Sequence, residues 1–554
     1  MAQTVFKSPG CSDVSSANFQ AVTLVNNVKD PTLDEVVRFS VAKSGAVYFA
    51  ERVGNIKVVK ADGSIAKVGK VDVFSPFSTM NKPLTTYYNN RNNEFGLVGF
   101  TLDPDFDVNH YIFVYYQART TDVGNLSRFT VTSDVLDMAS EKVIMSWPIQ
   151  KNYCCHTGGD IRIDSKHDLW ISVGNNTMNR ADDGDPLAYV DESIAGSDAD
   201  DQGHAANSND YRGKILRIHL ADDGTYTVPA GNFKDYYASM YTPADLLKIK
   251  PEIFAMGMRN PYTLAIDEPT GRVMWGEVGP DNGWDTEELN ILDKPAFTGW
   301  PYFAGETGNA HYIYKMNKDP ANPMNTSPNN TGVQKLPPAK GATIAYEQSC
   351  AITGSMYRWS AAQTSPKKLP GHFEGKWFIT DWKGDETIKV VTLDNTGIKV
   401  AAKEDFLPVT FTKFQHPLQI SVGPDGILYA LDFSSGSGYH FGTNGVTTPV
   451  NGSDPQTKIM RIEYTGAPCA IAVSVHDRMV RETQAAKASL INLGFSGSRI
   501  VSMPFQARGV RLYDLQGKLA WEYSAAAPAA SAAAVKLGVP ASVGNGIYRA
   551  KYIY

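Results

Sequence analysis

One short unit recurs along this chain and limits what it can fold into. It is a polar turn, then alternating apolar residues, then Gly or an acid. It reads SGAVYFAERVGNIKVVKADG at 44–63, DVNHYIFVYYQ at 107–117 and KHDLWISVGNN at 166–176. It returns as TGRVMWGEVGPDNG at 270–283, GKWFITDWKGDETIKVVTLDNTG at 375–397 and PDGILYALDFSSG at 424–436. Apolar runs of strand length bounded by Gly, Asp and Asn are hairpin signals. Six copies in one chain predict six sheets arranged radially, a β-propeller. The uneven spacing predicts long insertions, and loops on one face of such a fold commonly build its site. An α/β fold would need long amphipathic helices, and the best helix candidates, such as TPADLLKI at 242–249, are short.

The composition shifts near residue 466. GVRLYDLQGKLAWEYS at 509–524 predicts a hairpin, and GNGIYRAKYIY at 544–554 a last strand. AAAPAASAAAVKL at 525–537 reads as a loop, because Pro528 interrupts its alanines. The expected architecture is therefore all-β, a six-bladed propeller over 1–465 followed by a small β-sandwich over 466–554.

The bulk properties exclude several classes. The net charge of -6 and the lack of a dense Lys/Arg stripe argue against nucleic acid. No apolar run is long enough to be a transmembrane segment, and MAQTVFKSPG has no signal-peptide core. Five cysteines, with no CxxC pair, exclude a zinc ribbon, and their odd number leaves at least one unpaired within the chain.

Four segments carry candidate chemistry. In CCHTGGDIRI, His156 stands on a loop before a strand, where it could act as a general base or serve as a hydrogen-bonded structural residue. In AMGMRNPYTLAID, Arg259 could hold a carboxylate or form an inter-blade salt bridge. In WGEVGPDNGWDTEELN, the Gly279–Pro280 turn could turn its carbonyls toward a calcium ion, or be a plain turn. In NNEFGLVGFTLDPDF, Glu94 precedes a strand expected to be buried. The acid-rich loops at 181–186 and 197–202 could bind calcium, although such loops are more often solvated.

In order, these segments resemble the glucose/sorbosone dehydrogenase family over roughly 30–465. FGLVGFTLDPDFDVNHYIFVYY, HTGGDIRIDSKHDLWISVG, DYRGKILRI, GMRNPYTLAID and GPDNGWDTEELN…GWPYF stand in the family's order. The resemblance implies a six-bladed propeller that uses pyrroloquinoline quinone (PQQ) and calcium to oxidise an aldose or related sugar at C1. It implies that His156 takes the hydroxyl proton while hydride passes to the quinone. It also implies that Arg259 contacts PQQ and that Gly279 and Pro280 hold its calcium. Glu94 stands where relatives place a Gln beside the cofactor, and Lys383, in DWKGD, near a basic residue that lies over it. Where the soluble glucose enzymes have an acid, this chain has Cys155, before the base, and Asn175, in VGNN. Loss of both acids lowers the expected basicity of His156. A vicinal Cys154–Cys155 disulfide is suggested by a different propeller family, the quinoprotein alcohol dehydrogenases. Two thiols, pairing with distant cysteines, or ligation of a metal by Cys-Cys-His are the alternatives.

The tail is similar to C-terminal sorting modules of the type IX secretion system. That implies export through dedicated machinery, to the cell surface or periplasm of a Gram-negative bacterium, or secretion from it. The implied partners are a sugar and an external electron acceptor. A non-catalytic carbohydrate- or protein-binding propeller, and a calcium-dependent hydrolase such as a lactonase, are the competing readings.

Overall fold

The computed structural model describes residues 5–6, 14–74, 94–152, 156–177, 190–192, 198–280, 286–306, 312–313, 319–347, 350–360, 362–382, 387–407, 414, 416–433 and 457–467. Beyond these it describes strand backbones within 491–553. Two compact units emerge, Met1–Ala470 and Ile471–Tyr554.

In the first unit the chain runs repeatedly up and down through antiparallel strands. The first such run is Val36–Val41, Val47–Glu51, Asn55–Val59 and Ile65–Lys70. The recurring unit of the sequence falls each time on the second strand of a run. Those strands are Val47–Glu51, Tyr111–Gln117, Asp168–Val173, Arg272–Val278, Lys376–Asp381 and Leu428–Asp432. A second strand has a neighbour on each edge and a packed sheet on each face. Nearly every residue in it is therefore buried, and it needs an apolar run closed by turn residues.

The first strands of successive runs pack side by side, in chain order. The last of them, Pro417–Val422, packs on Val36–Val41 and closes the ring. The arrangement is all-β and propeller-like. A strand that precedes the first run, Phe19–Asn26, pairs antiparallel with Lys458–Tyr464, so both ends of the unit meet in one sheet.

Six separate sheets were expected, and hydrogen bonding joins the strands differently. Three sheets have four strands, one has six, and one is continuous over eight. The eight-stranded sheet is bridged by a single parallel pair, Gly354↔Ile420. Gly354 allows this close approach, because a Cβ there would lie 2.8 Å from Phe378 O and 3.0 Å from Ile420 O.

Near the middle of the ring three first strands are tied by a buried ion pair. Arg38 Nε lies 3.4 Å from Asp160 Oδ1, with both side chains almost fully buried. The Arg38 guanidinium also donates to the carbonyls of Gly159 and Tyr262, and stacks over the Tyr262 ring. Asp160 Oδ2 accepts from Leu264 N and faces Arg162. Removing one partner of such a pair leaves a buried charge uncompensated. Asp160→Ala should therefore destabilise this unit by about 3–5 kcal/mol, read as a lower midpoint in denaturant unfolding.

In the second unit, Gly509–Tyr513 and Leu519–Ser524 pair as the expected hairpin, and Gly546–Ile553 joins them in a four-stranded sheet with Ile491–Phe495. The alanine-rich stretch corrects the sequence reading at its end. Val535–Gly538 is a strand paired with Ile500–Met503, because the apolar Val535 and Leu537 resume the alternation once the alanines stop.

Candidate functional site

The candidate residues converge because of chain direction. Glu94, His156 and Arg259 each precede a first strand: Leu97–Leu102, Ile161–Ile163 and Asn260–Asp267. Asn175 and Gly279 each follow a second strand, Asp168–Val173 and Arg272–Val278. First and second strands are antiparallel, so all five positions lie at the same end of the ring.

Backbone contacts lock this end together. His156 N donates to Glu94 Oε2 at 2.9 Å. Asn176 N donates to His156 O at 2.7 Å, and Asn175 N to Arg259 O at 2.7 Å. His156 has a positive φ of 58°, unusual for a side chain with a Cβ and common at functional sites. Gly174 permits it, since a Cβ there would stand 2.2 Å from His156 O.

The imidazole is fully buried. Burial holds its pKa well below the ordinary histidine value, the Arg259 cation pushes the same way, and the Asn175 side chain partly offsets both. His156 is therefore neutral at physiological pH. Among the described residues its Nδ1 has no hydrogen-bond partner. A neutral imidazole with an unengaged nitrogen is what a proton acceptor requires.

Arg259 is almost completely buried. Its N–H donates to Glu277 Oε1 at 2.6 Å and its guanidinium to Val278 O at 3.0 Å. Arg259, Glu277, Gly279, Pro280, Thr286 and Glu288 line one small cavity. Burial raises the pKa of both carboxyls, that of Glu277 well above the usual range, and the neighbouring Glu288 raises Glu277 further. This carboxyl pair was missed in the sequence, although both residues sit in the quoted WGEVGPDNGWDTEELN segment. The signal was an acid placed inside an apolar strand run.

The structure thus brings together His156, Asn175, Arg259 and Glu94, and places Gly279 and Pro280 on a cavity shared with Arg259. Lys383, Cys154 and Cys155 lie outside the described residues, as does the acid-rich loop at 181–186. Within the loop at 197–202 the expectation of a solvated segment is corrected, because Asp200, Asp201 and Gln202 are all fully buried. Asp200 Oδ2 accepts from Ser327 Oγ at 2.6 Å and from Asn329 Nδ2 at 3.0 Å. Asp201 Oδ2 accepts from Asn175 Nδ2 at 2.8 Å and from Trp300 Nε1 at 2.6 Å. These acids act as internal anchors, satisfied by donors more than 20 residues away in the chain.

A ring of antiparallel sheets with an imidazole and a guanidinium buried at one mouth defines a propeller with an enclosed polar site. Residues 33–438 match the family described as Glucose / Sorbosone dehydrogenase. The chain belongs to that family. It is 24% identical over 391 residues to quinoprotein glucose dehydrogenase B of Acinetobacter calcoaceticus, covering 63% of this chain and 75% of that protein. It is 25% identical over 359 residues to aldose sugar dehydrogenase YliI of Escherichia coli, covering 62% and 75%. The crystal structure of the soluble aldose sugar dehydrogenase of Escherichia coli shares the fold with a TM-score of 0.51 at 18% identity, covering 80% of this chain and 99% of that one. Among the described residues no helix is long and apolar enough to cross a membrane.

Proposed function

We propose that this chain is an exported, PQQ- and calcium-dependent dehydrogenase that oxidises an aldose or related sugar at C1. The observation that carries the reading is the neutral, fully buried His156 imidazole beside the Arg259 guanidinium. The names of the two curated relatives, a quinoprotein glucose dehydrogenase and an aldose sugar dehydrogenase, support a sugar substrate. We count the eight-stranded sheet as two blades joined by one bridge, which makes six.

The residues present fit such a cofactor. His156 offers an unengaged buried nitrogen, and Arg259 a fixed cation suited to a carboxylate. Gly279 and Pro280 offer backbone carbonyls, hard donors of the kind calcium takes. Pyrroloquinoline quinone supplies a two-electron acceptor for the hydride leaving sugar C1. His156 accepts the C1 hydroxyl proton on the ring nitrogen that carries the lone pair. Because the imidazole starts neutral, that proton has a vacant site to enter. Arg259 would hold a carboxylate of the cofactor, and the family resemblance gives Lys383 a similar role. Glu94 fixes the His156 backbone by accepting from its N–H. Turnover would need an external acceptor for these electrons. No CxxCH heme motif is present in the chain, which makes that acceptor a separate dye-like or protein partner. The second unit we read as a β-sandwich sorting module that directs export. Its support is the paired four-stranded and two-stranded sheets within Ile471–Tyr554.

A binding propeller without catalysis is the competing reading, favoured by Asn175 standing where the glucose enzymes carry an acid. Titration of the purified protein with PQQ and calcium separates the two. The expected results are a change in cofactor absorbance, a raised melting temperature and sugar-dependent dye reduction. Glycan binding with no response to PQQ would establish the binding propeller instead.

A further inference from the structure

We propose that Asp201 is a positioning residue for His156, acting through Asn175. This rests on the reading of His156 as the base. The loop itself has no acid at either position where the glucose enzymes carry one, and the structure supplies a carboxylate from one step further back.

The geometry is specific. Asp201 is fully buried, on a segment distant in sequence from the base loop. Its Oδ2 receives two N–H donors, Asn175 Nδ2 at 2.8 Å and Trp300 Nε1 at 2.6 Å. Its Oδ1 meets Thr177 Oγ1, which in turn lies 3.1 Å from His204 Nδ1. Oδ2 is thus committed as an acceptor whether or not the acid is ionised, because a proton would reside on Oδ1, facing Thr177. That commitment fixes the Asn175 amide. Nδ2 must face Asp201, so Oδ1 is turned away from it, accepting from Thr177 N at 3.3 Å. Asn176 N, on the next residue, donates to His156 O at 2.7 Å and so holds this amide beside the base loop, where the Asn175 side chain favours the protonated ring. Without Asp201, the longer Thr177 N contact is all that remains among these to set which end of the amide faces His156.

The charged surroundings are Asp200 beside Asp201, Lys214 from the neighbouring strand, and Arg259 against His156. Burial pushes the Asp201 carboxyl up to about 7, opposed by its three donors and aided by Asp200. Asp201 therefore holds the amide as a hydrogen-bond acceptor more than as a fixed charge.

The test compares Asp201→Ala with Asp201→Asn, whose carbonyl can still accept from Asn175 and Trp300. In apoprotein with labelled histidine, with His156→Gln used for assignment, Asp201→Ala should shift the His156 ring resonances and Asp201→Asn should leave them near their original positions. In the PQQ-loaded enzyme, Asp201→Ala should lower kcat about tenfold to a hundredfold, with KM and PQQ affinity little changed. Adding Asn175→Asp to that variant should restore part of the rate by placing a carboxylate at the ring. Unmoved ring resonances, or a full kcat in the folded fraction of a merely less stable Asp201→Ala protein, would overturn the proposal. If the unmodified protein oxidises no sugar with PQQ, the functional reading fails, while the ring resonances still decide the positioning role.

Discussion

His156→Ala is expected to abolish PQQ-dependent sugar oxidation while leaving cofactor binding intact. A positioned base contributes about 10²–10⁴-fold to rate, so turnover should fall by at least two orders of magnitude. Binding should survive because the fixed cation, Arg259, and the Gly279–Pro280 turn are held by other contacts. Arg259 N is anchored on Glu277 and Gly279 N donates to Glu287 Oε1 at 3.1 Å. Dye-reduction kinetics and PQQ absorbance titration read the two effects separately. The pH dependence of the unmodified enzyme has a definite sign. The folded pKa of His156 is depressed below its unfolded value of 6.5, chiefly by burial. The base is therefore deprotonated at pH 6.5, and the acid limb of kcat/KM should fall below that pH. The same depression means that stability is lost as pH falls from about 6.5 toward the folded pKa, because the unfolded chain binds the proton first. Fully buried His204, depressed in the same direction, adds to that loss.

The parts of the molecule legible in the sequence are those whose environment is local. Second strands such as Val47–Glu51 and Asp168–Val173 announce themselves because both faces and both edges are covered. Their neighbours do not. Ile161–Ile163 has three residues, too few for a period, and Val400–Asp405 is exposed at every position. The closing strand Phe19–Asn26 finds its partner more than 400 residues away, at Lys458–Tyr464, which no local pattern records. The site divides in the same way. His156 and Arg259 sit in short loop motifs that precede first strands, and could be read one by one. Asp201 sits in SDADDQ, whose composition reads as a solvated loop. It is buried only because Trp300, Asn175 and Thr177 arrive from elsewhere in the chain and satisfy it. The same wrapping changes what Asn175 means. Read as the loss of an acid, it suggests a weakened base. Bonded to Asp201, it is the link through which we propose that an acid outside the motif positions His156.

Arg259→Gln is expected to produce two separable effects with one cause. The guanidinium is buried and held by Val278 O, so its charge is fixed rather than mobile. Loss of a charge-assisted contact to a carboxylate ligand should weaken PQQ binding about tenfold to a hundredfold. The same cation lies close enough to His156 to lower its pKa. Its removal should therefore raise the His156 pKa toward the ordinary value, measurable by histidine NMR in the apoprotein. The buried Glu277 carboxyl should move the same way, because Arg259 is one of the groups that hold it down. Both groups would then hold protons at a higher pH than before. A variant with weaker PQQ binding and an unmoved His156 titration would mean that the guanidinium serves the cofactor alone. A shifted titration with full PQQ affinity would mean that it serves the base alone. The guanidinium, held by Val278 O and close enough to His156 to lower its pKa, is expected to do both.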